Sequence, residues 1–227
     1  MRTYGQFCAV AHALDLVGDR WSLLVVRDLL LGPRRFTDLQ RSLPGIGTNI
    51  LTARLKHLEE AGVVRRAALP PPAAGSAYEL TDYGRGLEPA IAALGAWGAR
   101  SIGMPEPGRV PRAEWLGAAL HTFANPAAAR GRAATYELRL DDGVLTVELG
   151  RRRARVLHGP AQRPDLVVEA GNTVLIGLLA GVLDADDAVA SGSLRLTGNP
   201  TLLAGLLRAF PLPPPGPALG QREATAA

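Results

Sequence analysis

Cysteine is almost missing from these 227 residues: Cys8 stands alone, so no internal disulfide and no disulfide framework can shape the fold. Lysine is as rare, since Lys56 is the only one among 25 basic residues and the rest are arginine, a usage that genomic G+C bias explains. His12, His57, His121 and His158 are scattered, with no pair at metal-ligand spacing, so neither a metal nor a cofactor is expected. The chain has no Gly-x-Ser-x-Gly elbow and no Gly-rich phosphate loop before a lysine, which speaks against an enzyme. Asp184, Asp186 and Asp187 lack the oxygen spacing of a cation loop and read as an acidic helix start. No apolar run is long enough to span a bilayer, and the N-terminus has no apolar core with a cleavage site. A soluble, cytoplasmic chain without a membrane partner is the expectation.

What is present is ordinary in bulk and uneven in distribution. A hydrophobic fraction of 47% and a charged fraction of 20% exclude a disordered or fibrous chain. The net charge is +4, and residues 20–66 carry nine basic against four acidic side chains, which points to a polyanion surface. Residues 103–111 hold three prolines and two glycines, so a linker over 104–111 separates a unit at 1–103 from one at 112–210. The stretch 211–227, rich in proline and alanine, reads as a disordered tail.

The first unit reads as short helices followed by a hairpin. Val10, Ala13, Leu14 and Val17 form one stripe. Asp19 is placed to cap a second helix with Trp21, Leu24, Val25, Leu29 and Leu30 inward. A third helix over 35–43 buries Phe36, Leu39 and Leu43, and after the turn at 44–47 Thr48 opens a longer one. There Ile50 or Leu51 faces inward with Leu55 and Leu58, and Gly62 is the stop. Strands at 63–69 and 77–80 flank a loop tip. Thr81 or Asp82 then caps a last helix carrying Leu87, Ile91, Leu94, Trp97 and Ile102. Helix, tight turn, helix and hairpin in this order predict a winged helix-turn-helix, whose second helix enters a major groove.

On that helix Thr48, Asn49, Thr52 and Lys56 share the polar face, with Ala53 small enough for a groove wall to approach. Asparagine pairs bidentately with adenine, threonine offers hydroxyl or methyl, and lysine reaches a base or a phosphate. Arg54 beside the face suits a phosphate, and Arg34 and Arg35, with Thr37 beside them, flank the third helix start as a phosphate clamp. Arg65 and Arg66 lead into the wing, where alternation lets only one of them face DNA. The wing tip carries no cation, so its contacts are expected from Ser76 and backbone amides.

These residues resemble the HxlR family of bacterial transcriptional regulators. The carrying text is Cys8-Ala-Val-Ala-His-Ala-Leu-Asp-Leu-Val-Gly-Asp-Arg-Trp21, Leu31-Gly-Pro-Arg-Arg-Phe-Thr-Asp-Leu39, Leu43-Pro-Gly-Ile46 and Leu51-Thr-Ala-Arg-Leu55. It continues with Leu58-Glu-Glu-Ala-Gly-Val-Val-Arg65 and Tyr78-Glu-Leu-Thr-Asp-Tyr-Gly84, so the likeness runs from about 8 to 98. The resemblance implies a homodimer on double-stranded operator DNA of dyad symmetry, joined through its first and last helices. It also implies a candidate redox role for Cys8, since some members sense oxidants at this position. A packed structural thiol is the preferred reading.

In the second unit, a helix over 113–124 precedes a hairpin (135–140 and 144–149) turned by Asp141-Asp142-Gly143. Strands at 153–157 and 166–169, an apolar segment at 172–181, a short helix at 184–190, a strand at 194–197 and a closing helix at 200–210 follow. The run Arg151-Arg-Arg-Ala-Arg155 reads as a solvated strand edge ahead of a further phosphate contact. Asp142-Gly-Val144, Pro164-Asp-Leu-Val-Val168, Leu178-Leu-Ala-Gly-Val182, Ala190-Ser-Gly192 and Leu194-Arg-Leu-Thr-Gly-Asn199 make this half similar to the sterol-carrier-protein-like fold. That likeness implies a small α/β domain with an apolar pocket walled by Trp115, Phe123, Leu175, Leu178, Leu179, Leu203, Leu206 and Phe210. The whole is an α+β chain, expected to be a regulator whose operator affinity a hydrophobic small molecule modulates. The rival reading is a carrier of hydrophobic ligands whose helical half only dimerises.

Overall fold

The computed structural model describes residues 3–68, 75–102, 111–129 and 133–212. It divides into two compact units between Ile91 and Ala92. The division falls inside the last helix of the first half, upstream of the Pro/Gly-rich stretch, whose residues 103–110 lie outside the described ones.

In the first unit α1 (Ala9–Val17), α2 (Ser22–Leu29), α3 (Phe36–Ser42) and α4 (Thr48–Glu60) come first. The hairpin β1 (Val64–Ala68) and β2 (Ser76–Leu80) follows, then α5 (Asp82–Arg85) and α6 (Glu88–Ala99), most of which lies past the division, in the second unit. This is the winged helix-turn-helix order. The hairpin runs antiparallel from Val64↔Leu80 to Ala68↔Ser76; Leu69 and the tip at 70–74 lie outside the described residues. The core draws helix-spaced residues from α2 to α4: Val25, Val26 and Leu29, then Leu39, then Leu51, Leu55 and Leu58, closed by Val64 and Leu80. Leu51 is the inward member of its pair, and Ile50 is exposed. Gly62 ends α4 at φ +69°, the left-handed region where glycine carries no Cβ penalty. At Gly84 a Cβ would fall 2.1 Å from the Val63 carbonyl oxygen, so only glycine lets α5 lie against the hairpin root.

Two expectations fail in this unit. Asp19 does not cap α2, whose N-cap position is Trp21 without a side-chain cap; the Asp19 carboxylate pairs with Arg54 of α4 instead. The outer helices do not bury their stripes. Val10 and Leu14 on α1, Leu94 and Trp97 on α6, and Ile102 beyond it are exposed, Trp97 by 69%. The small core is already filled by α2, α3, α4 and the hairpin; Val17 and Ile91 enter it, and Leu16 and Leu87 pack against it. At the hairpin exit Thr81 is the cap, accepting the Gly84 N–H at 3.0 Å.

The second unit is built on one five-stranded sheet. Its strands are β3 (Ala134–Leu140), β4 (Gly143–Leu149), β5 (Ala154–His158), β6 (Leu166–Ala170) and β7 (Leu194–Gly198), ordered β5-β4-β3-β6-β7. Only β3 and β6 pair in parallel. α7 (Ala113–Thr122) and a 3-10 turn (Pro126–Ala129) precede the sheet. α8 (Asn172–Leu179) and α9 (Ala185–Ala190) lie between β6 and β7, and α10 (Leu203–Ala209) follows a second 3-10 turn. The period of two sends Tyr136, Leu138, Leu145, Val147, Val156, Leu166 and Val168 into the core.

The other sheet face carries charge, in a ladder from Arg195 to Glu169 (3.2 Å), Glu169 to Arg139 (2.8 Å) and Arg139 to Glu137 (2.7 Å). Arg155 lies on the edge strand β5, paired to Glu148 at 3.1 Å, in keeping with a solvated edge. The turn between β3 and β4 caps two helices from a distance. Asp142 accepts the Ala113 N–H at the start of α7 (2.9 Å) and the Asn172 side-chain amide (2.9 Å), and Asp141 accepts the Asn172 N–H at the start of α8 (2.8 Å). Asp184 caps α9 through the Asp186 and Asp187 amides, which makes that acidic cluster a helix start. Order continues past the expected start of the tail: the Leu212 N–H donates to the Leu179 carbonyl at 3.0 Å. Residues 213–227 lie outside the described ones.

Candidate nucleic-acid interface

The turn after α3 launches α4 with Gly47 in extended backbone, its carbonyl accepting the N–H groups of Ile50 and Leu51. Burial of Leu51, Leu55 and Leu58 then turns the opposite face outward. Thr48, Asn49, Thr52, Ala53 and Lys56 are all exposed on it. The Thr48 hydroxyl accepts the Gln40 side-chain amide at 2.8 Å, which ties the head of α4 to α3. Thr52 donates its hydroxyl to the Thr48 carbonyl at 2.9 Å. Asn49 has no side-chain partner among the described residues, and Lys56 stands 3.8 Å from Glu60 with three quarters of its side chain in solvent. An uncommitted amide, hydroxyls and an ammonium on one helix face match the donor and acceptor pattern of base edges in a major groove.

The expected phosphate contacts are arranged less simply. Arg35 occupies the N-cap position of α3 and reaches the tip side of the wing, its Nε 3.8 Å from where a Cβ on Gly75 would sit. Thr37 and Ser76 are exposed nearby in the chain, on the first turn of α3 and at the start of β2. Arg34 departs from the expectation. It is only 8% exposed, because its backbone bridges to β2 through paired bonds with Tyr78 (2.9 and 2.8 Å), which draws the residue inward. Arg54 is also less available than expected, since it lies half-buried against Asp19. Arg65 and Arg66 are both exposed and both paired, to Glu79 at 2.8 Å and to Glu59 at 3.3 Å, with Arg66 also over the Tyr78 ring.

Sequence reasoning missed the buried carboxylate behind this surface. Asp28 on α2 is 1% exposed and accepts the Ser42 hydroxyl at 2.5 Å and the Arg27 Nε–H at 2.8 Å. Burial pushes its pKa above the usual carboxylate range, against the opposing pull of Arg27, the Ser42 hydrogen bond and Arg34. Its only signal in the sequence is a charge at a position where the helical stripe calls for an apolar residue.

Cys8 is not the packed thiol preferred from the sequence. It is exposed at the N-cap of α1. The Ala11 and then the Val10 backbone N–H draw its pKa below the ordinary thiol value, although neither makes a side-chain cap of ordinary geometry.

In the second unit an open, largely apolar groove of about 570 Å³ runs along Ala128, Leu178, Leu179, Gly181, Leu207, Arg208 and Pro211. Leu178 and Leu179 belong to the wall expected from the sequence. Leu178 and Leu179 are themselves buried; Leu175, Leu203, Leu206 and Phe210, also buried, and the half-buried Trp115 and Phe123 are not among the lining residues. Helical spacing marks these residues as apolar helix positions. It does not separate those that fill the core from those that border a groove.

Comparisons with known proteins also match the chain in two parts. A family model described as HxlR-like helix-turn-helix matches residues 16–105, and one for the SCP-2 sterol transfer family matches 118–210. An HTH-type transcriptional regulator of Synechocystis, sll1512, is 39% identical over 90 residues, which are 40% of this chain and 67% of that protein. The HTH-type regulator YvaP of Bacillus subtilis is 38% identical over 85 residues, 37% of this chain and 79% of its own length. The crystal structure of a putative HTH-type regulator, ytcD, aligns with 41% of this chain and 95% of its own at 34% identity and a TM-score of 0.38. Neither family description names an enzyme. Among the described residues no helix is long and apolar enough to cross a membrane.

Proposed function

The chain belongs to the HxlR-like helix-turn-helix family of transcriptional regulators and carries an SCP-2 sterol transfer domain downstream; from that premise we propose a homodimeric regulator whose operator affinity responds to a hydrophobic small molecule. The observation that carries the reading is the exposed face of α4, where Asn49, Thr52 and Lys56 stand free of the core that Leu51, Leu55 and Leu58 enter. In this proposal those three side chains read base edges, while Arg35, Thr37 and Ser76 meet the phosphate backbone.

Dimerisation is supported by the uncovered stripe of Val10 and Leu14 on α1 and of Leu94 and Trp97 on α6, large apolar groups that a lone chain leaves in water. Two reading helices related by a dyad address half-sites about 34–36 Å apart. Ligand response is supported by the groove between Leu178, Leu179 and Leu207, whose lining is apolar apart from Arg208. A ligand changes operator affinity only by binding one arrangement of the dimer better than the other, and the coupling is reciprocal.

The test is enrichment of duplexes from a random DNA library by the full chain, followed by gel-shift titration with and without apolar compounds extracted from the purified protein. Enrichment of a dyad-symmetric sequence is the expected result, with a shift in its affinity when extract is added. If no sequence is enriched while the protein still binds apolar compounds, the carrier reading replaces this one.

A further inference from the structure

Asp28 lies in the first unit at the point where three parts of the candidate interface meet. Its carboxylate holds Ser42, the last residue of α3 and the one just before the turn that launches α4. The positive charge of Arg34, just ahead of α3, also acts on it. Arg34 is in turn bonded through its backbone to Tyr78 in the wing strand β2. One buried side chain of α2 thus holds the end of α3 and feels the charge of Arg34, whose backbone is tied to the middle of β2. α3 carries Arg35 and Thr37 and receives Thr48 through Gln40, so its placement sets where α4 and the wing stand relative to each other.

We propose that Asp28 is the positioning residue of the DNA-reading surface, holding α3, the head of α4 and the wing in one register on the α2 scaffold. The proposal rests on the reading that this unit binds operator DNA. Stability alone accounts poorly for an ionised group here. A buried charge is expensive to desolvate, and replacing one by an apolar side chain of similar volume is often neutral or stabilising. The raised pKa has the same sense: burial favours the protonated form, so the stability it contributes is present at low pH and declines as pH rises and the carboxyl ionises. Buried polar groups of this kind are best attested in setting register, the role that the Ser42 hydrogen bond describes.

The experiment compares wild type with Asp28→Asn, which keeps an acceptor for Ser42 but removes the charge facing Arg27 and Arg34, and with Asp28→Leu, which removes both. Affinity is measured on the duplex that wild type enriches, thermal unfolding in parallel, and amide exchange at Arg34 and Tyr78 against Val25, Val26 and Leu29. Operator affinity should fall at least tenfold in both variants, more in Asp28→Leu. The Arg34 and Tyr78 amides should lose protection while the α2 amides keep theirs. Affinity within twofold of wild type, or protection lost uniformly across all five amides, overturns the proposal. If wild type enriches no duplex, the DNA-binding reading falls on its own, and the exchange pattern decides whether Asp28 positions these elements.

Discussion

The two units dispose of their apolar residues in different ways. In the first, the core is closed by α2 to α4 and the hairpin, and the stripe of the outer helix α1 remains in solvent. In the second, a sheet of five strands gives its helices a full face to cover, so Leu175, Leu206, Ala209 and Phe210 disappear into packing. Its polar side is dressed with paired charges from Arg195 across to Glu137. The contrast teaches that leftover apolar surface, rather than apolar content, is what supports the proposal of a further protein surface. A three-helix core with a two-stranded hairpin has too little area to bury every stripe its sequence carries. A sheet with helices buries more, yet it too leaves Val182, Leu183 and Val189 exposed.

The sharpest way to break this contrast is to unsettle one unit and watch the other. Phe210→Ala should cost the second unit about 3–5 kcal/mol, because a fully buried ring leaves a cavity. Two transitions in calorimetry, with the first unit's unchanged, are the expected outcome; one merged transition shifting as a whole would deny that the units are separate. Trp97→Asp should weaken self-association by about 2 kcal/mol or more, as hot-spot aromatics do, read by sedimentation velocity. No change in mass would remove the α6 stripe from the proposed dimer contact. Asn49→Ala should cost about 1–3 kcal/mol of discrimination at one base position while leaving binding to unrelated duplexes as it was. Equal losses on all duplexes would make Asn49 a backbone contact instead. Asp142→Ala, removing the acceptor shared by Ala113 and Asn172, should lower the second unit's stability by about 1 kcal/mol or somewhat more in urea. The smallest effect concerns Cys8. Its alkylation should reach half its maximal rate at a lower pH than that of a free thiol, because the Ala11 and Val10 amides favour the thiolate. A profile matching free cysteine would remove that influence.

Much of both folds was legible before any coordinates. The helix-spaced leucines of α4, the stop at Gly62, the Asp141-Asp142-Gly143 turn and the alternation of β3 and β4 each act over a few residues, and each element formed where its pattern placed it. The same local patterns placed Thr48, Asn49, Thr52 and Lys56 on one exposed face. Partnerships over long separations were not legible. Asp19 resembles a helix cap and spends its charge on Arg54, 35 positions on. Arg34 resembles a free cation beside Arg35, yet a bridge to Tyr78 draws it inward.

Residue type and spacing were therefore enough to define which helix offers a readable face, since periodicity alone rotates that face away from the leucines it opposes. Folding in three dimensions chose which charges remain free to meet a phosphate and which apolar side chains border a groove instead of filling a core. Those outcomes depend on neighbours brought in from distant positions, and an arginine or leucine carries no local mark of the partner it will find.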